Sequence, residues 1–153
     1  MDRRWVVLLA ALAAAALVAL PATAAKKPEK EYKLLAAMSG MEERPGPGDD
    51  NGYGAASIRI KGANVCFVLL AREISPATAA HIHKAPAGEP GPIVVDLYGS
   101  TAADSKLPPR VSRCVKAESR ALAKDIARNP SSYYVNVHNG DFPQGAIRGQ
   151  LSR

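Results

Sequence analysis

The sequence predicts a mainly β protein, an antiparallel, Greek-key-like sandwich or barrel of seven or eight short strands with one short helix. Three observations carry that prediction. Beyond residue 31, apolar residues recur mostly at every second position, the period of a half-buried strand. Turn residues punctuate the chain at intervals of roughly 8–12 residues, as in sandwiches and barrels. Only one segment, residues 119–128, changes to helical spacing.

Taken in order, Tyr32–Met38 is the first expected strand, and Glu42–Gly54 is a Gly, Pro and Asp loop expected to be mobile. Ala56–Lys61 sets Ala56, Ile58 and Ile60 on one face against Ser57, Arg59 and Lys61 on the other. Val65–Ala71 is apolar on both faces and reads as a central strand. Ala79–His83 and Ile93–Tyr98 follow, joined through the turn-rich Pro86–Pro92, and then Val111–Val115. In the helical segment Leu122 and Ile126 lie four apart among alanines, with Ser119 placed to cap the N-terminus. Asn129-Pro130 ends the helix, because proline pushes the preceding residue out of helical geometry. Tyr133–Asn139 and Ala146–Leu151 return to strands. Tyr133 and Tyr134 point to opposite faces, one to the core and one beside the polar face described below.

The N-terminus reads as a Sec-type signal peptide over residues 1–24. Arg3 and Arg4 precede an apolar run, Val6–Leu20, which Pro21 and the small residues Ala22-Thr23-Ala24 follow. That run is about 15 residues, short of the ~20 needed to span a bilayer, and is rich in weakly inserting alanine. Cleavage leaves a flexible tail over 25–31 and one domain over 32–153, with no membrane span in the mature chain. The expected location is extracellular or in the cell envelope. The net charge of +6 is scattered along the chain rather than gathered into a basic stripe, so nucleic acid is not an expected partner. An extracellular protein or an envelope polymer is.

Two cysteines in an exported chain pair, so a Cys66–Cys114 disulfide is expected. It closes a loop of about 49 residues, worth ~4 kcal/mol in the chain-entropy treatment.

Three strands carry polar residues with strand periodicity. His81 and His83 share a face, as do Asn136 and His138, and Arg148 and Gln150, each set opposite apolar neighbours. If these strands are adjacent, His81, His83, Asn136, His138, Arg148 and Gln150 form one polar surface turned away from the core.

The segments His81-Ile82-His83-Lys84-Ala85-Pro86-Ala87-Gly88-Glu89-Pro90-Gly91-Pro92-Ile93-Val94, Tyr133-Tyr134-Val135-Asn136-Val137-His138-Asn139 and Phe142-Pro143-Gln144-Gly145-Ala146-Ile147-Arg148-Gly149-Gln150-Leu151 resemble the CHRD domain family in order and spacing. The resemblance spans roughly residues 32–152. The arrangement of Cys66, Cys114, the helix, Asn129-Pro130 and the Tyr pair is similar to its single-domain secreted bacterial members. It implies a β-rich extracellular domain and no established activity.

Three uses of the polar face follow from its chemistry. His81, His83 and His138 supply three imidazoles for a copper or zinc ion. The same groups also suit a hydrogen-bonded network that fixes strand register and supports the Gly88–Pro92 loop. Arg148, Lys84, Asp96, Asn136 and Gln150 would offer directional bonds to an extracellular partner. No nucleophile elbow, phosphate loop or carboxylate pair marks a catalytic centre, so a non-catalytic module is the expectation.

Overall fold

The computed structural model describes residues 28–99 and 108–153; the expected signal peptide lies outside them. Eight strands form one antiparallel sheet: β1 (Glu31–Ser39), β2 (Tyr53–Lys61), β3 (Asn64–Arg72), β4 (Ala77–Lys84), β5 (Ile93–Tyr98), β6 (Arg110–Lys116), β7 (Tyr133–Asn139) and β8 (Ile147–Gln150). Their spatial order is β5-β4-β7-β8-β1-β2-β3-β6. The two outer strands, β5 and β6, come together without a ladder, so the sheet curls into a nearly closed barrel.

Period-two patterning explains the interior. Leu34, Ala36 and Met38 of β1, Ile58 and Ile60 of β2, and Val65, Phe67 and Leu69 of β3 all face inward and are buried. Their neighbours along each strand face out, so a one-residue slip would expose the core. The β1–β2–β3 meander is paired without interruption, from Glu31 opposite Lys61 to Lys61 opposite Asn64. β1 therefore begins inside the segment expected as a tail, because Glu31 has a ladder partner.

The helix α1 (Arg120–Arg128) forms where its spacing requires. Ser119 Oγ accepts the Leu122 N–H at 3.1 Å. Ala123, Ile126 and Ala127 are buried, and the helix packs against β1 and β2. Tyr133 Oη donates to Asp125, which ties the helix back to β7.

Cys66 and Cys114 stand directly opposite one another on β3 and β6 and are joined as a disulfide.

The β1–β2 loop differs from its expected looseness. A single 3-10 turn (Gly40–Glu42) opens it, Gly48 N–H donates to Gly40 O, and Asp49 N–H donates to Ala146 O. A Cβ on Gly40 would fall 1.9 Å from Asp49 O, and one on Gly48 2.2 Å from Ala146 O. Glycine composition here serves close backbone approach rather than freedom of movement, and the loop is packed over the end of β8.

Candidate functional site

β4, β7 and β8 are adjacent, and their registers bring the polar residues together in rows. His81 stands opposite Asn136, which stands opposite Arg148; His83 stands opposite Tyr134, which stands opposite Gln150; His138 stands opposite Ala79. On the other face, Ala80, Ile82, Val135, Val137 and Ile147 are sealed in the core. All six residues singled out by periodicity thus share one face.

That face is not an open surface. The β4–β5 and β7–β8 loops fold over it, leaving Asn136 and Arg148 only 2% exposed and His83 8%. The loops are held down by the polar side chains themselves. Arg148 Nη2 donates to Pro86 O at 3.1 Å, and Gln150 Nε2 contacts Ala85 O at 2.9 Å. His83 Nδ1 donates to Gly91 O at 2.8 Å, while Gly91 N–H donates to Tyr134 Oη at 3.2 Å. His138 Nδ1 donates to Pro143 O at 3.0 Å. Periodicity places a polar residue on a face but says nothing of the loop above it, so it does not reveal this burial.

Tyr134 forms the floor. His83 stacks on its ring at 4.8 Å between centroids, and the Arg148 guanidinium sits 3.4 Å from the ring centre. Tyr134 is two residues from Asn136, so the same period that found Asn136 and His138 locates it. Lys84 departs from the expected group: it points to the helix side and pairs with Asp125 at 3.3 Å. Asp96 stays nearby, its Oδ1 3.7 Å from His81 Nε2.

The three imidazoles converge. His81 Nδ1 and His138 Nε2 are 3.0 Å apart, and one ligand nitrogen from each of His81, His83 and His138 lies within 4.8 Å of the others. The Asn136 side-chain amide is 3.1 Å from His138 Nε2 and, with its NH2 turned to the ring, donates to that nitrogen. Because Pro143 O and Gly91 O only accept, the outer nitrogens of His138 and His83 carry the protons. The inner Nε2 atoms therefore present lone pairs. That of His83 is buried and has no hydrogen-bond partner.

Electrostatics keep the cluster neutral. Burial, then the neighbouring His138 and His83, pushes the His81 pKa down to about 4, against a weaker upward pull from Asp96. Burial lowers His83 and His138 as well, partly opposed by the carbonyls of Gly91 and Pro143. At neutral pH all three rings are uncharged bases, the form that binds metal.

A small antiparallel barrel with a loop-covered, histidine-centred polar layer on its outer face is thus what fold and site define. Residues 34–151 match the CHRD domain, and the chain belongs to that family. Comparison with curated proteins and with solved structures gave no match.

Proposed function

We propose that this chain is a secreted, non-catalytic extracellular module whose His81, His83 and His138 bind one copper or zinc ion. The observation supporting this is the convergence of three neutral imidazoles, two of them anchored through their outer nitrogens to backbone carbonyls. Metal-binding histidines are oriented by that kind of outer hydrogen bond, which also fixes the tautomer. Two nitrogens 3.0 Å apart both reach an ion at the usual distance of about 2.0–2.1 Å. The widest spacing, 4.8 Å, must draw in by about 1.4 Å for tetrahedral coordination. His81 then turns its Nε2–H toward Asp96 and its Nδ1 lone pair inward.

Calorimetric titration of the metal-free protein with Cu(II) and Zn(II) tests this. One ion per chain, bound more tightly than ~10 µM and lost in a His81→Ala, His83→Ala variant, is expected. Absence of such binding, or equal binding by the variant, overturns the proposal.

A second reading has its own observation. The 3.0 Å His81–His138 contact, with the bonds from Arg148 and Gln150 to the β4–β5 loop, joins the polar layer to the loop above it. On that reading the layer rigidifies the loops so that they meet an extracellular protein or envelope polymer.

A further inference from the structure

Glu43 lies outside the histidine cluster, on the β1–β2 loop, and is 3% exposed. Its Oε1 has no hydrogen-bond partner. The carboxyl group rests against Gly145 of the β7–β8 loop, where a Cβ would come within 2.5 Å of it. Its Cγ lies beside Gly48, where a Cβ would be 2.9 Å away. Gly145 has φ +144°, so glycine serves there both the backbone and the space that Glu43 fills. The two loops border a solvent-open pocket of about 250 Å³, lined by Glu43, Arg44, Pro47, Asp141, Pro143 and Gly145 among others.

We propose that Glu43 is a proton-operated latch: when neutral it holds the β7–β8 loop against the β1–β2 loop, and when ionised it lets them part. The link to the histidines is covalent and short. Pro143, two residues from Gly145, supplies the carbonyl that fixes His138 Nδ1. The regulatory meaning of the latch rests on the metal-site reading, while the latch itself does not.

The charged groups around Glu43 act in both directions when it ionises, and burial decides the balance. Arg148 of β8 and Arg44 on its own loop favour the carboxylate, while Asp141, across the pocket, and Glu42 carry negative charge. Arg148 gives Nη2 to Pro86 O and covers the Tyr134 ring, while its Nη1 is buried without a hydrogen-bond partner, so its pull is the main force that opening must overcome. Burial outweighs both arginines and raises the Glu43 pKa to about 7. A carboxylate formed there gains hydration by moving toward the pocket, which separates the loops.

The test is amide exchange on the metal-free protein, corrected for intrinsic rates. It reads Gly145 N–H, which donates to Phe142 O, and Ala146 N–H, which donates to Val137 O. Linkage between a closed-state pKa of about 7 and an ordinary open-state value gives about a tenfold loss of protection from pH 6 to 8.5. Glu43→Gln should abolish that dependence. A wild-type carboxyl-carbon titration of Glu43 with its midpoint near 7, tracked by the His138 ring nitrogens, is the companion result. Flat wild-type protection, an unchanged pH dependence in Glu43→Gln, or a Glu43 midpoint near 4.5 each overturns the latch. Failure of metal to bind leaves all of these readouts in place.

Discussion

Arg148 shows how one residue holds several parts of the layer. Its side chain is among the largest fully buried ones, donates to Pro86 O, and covers Tyr134. Arg148→Met keeps the length but removes the charge and the donor. It should cost about 2–3 kcal/mol in urea denaturation, from a lost charge-assisted bond and cation–π contact. It should also raise the Glu43 pKa further, since Arg148 is the foremost group drawing it down. In the metal-free protein, His81 should keep its neutral-ring NMR shifts down to about pH 4, well below an ordinary imidazole.

At the scale of elements, the ladder between β1 and β8 depends on Gly149, because a Cβ there would lie 2.0 Å from Ala37 O. Gly149→Ala should therefore destabilise the barrel by about 2–4 kcal/mol, read from the denaturation midpoint. Ser119→Ala, which removes the helix cap, should cost only about 1 kcal/mol. The strands and the helix were legible in the sequence because their apolar core residues recur with a regular period, from Leu34 and Ala36 through Ile147. The grouping of His81, His83, Asn136, His138, Arg148 and Gln150 was legible for the same reason. Neither Glu43 nor the carbonyls of Gly91 and Pro143 could be found this way. Their positions depend on how loops fold across strands distant in sequence, and a backbone carbonyl leaves no residue signature.

For the molecule as a whole, Glu43 and His81 give stability opposite pH dependences. The native state holds a proton on Glu43 that the unfolded chain has lost, so stability falls as pH rises from about 4.5 to 7. The shift corresponds to at most about 3 kcal/mol, so Glu43→Gln should match the wild type near pH 4 and exceed it at pH 8. His81 does the reverse: the unfolded chain binds its proton first, so stability rises with pH between about 4 and 6.5. Denaturation of both proteins at several pH values separates the two trends. The Cys66–Cys114 bridge adds a pH-independent share, and its loss in a double Cys→Ala variant should cost about 2–4 kcal/mol.

The histidine cluster is the centre of this account, and nitrogen-15 NMR of its rings during Zn(II) addition tests it most directly. With zinc, the expected ligands are His83 Nε2, His138 Nε2 and His81 Nδ1, with the outer nitrogens of His83 and His138 still protonated. The His81 proton should move from Nδ1, where it bridges to His138, to Nε2 beside Asp96. Zinc that leaves these six nitrogens unshifted, or that binds while the His81–His138 bridge persists, would contradict the account.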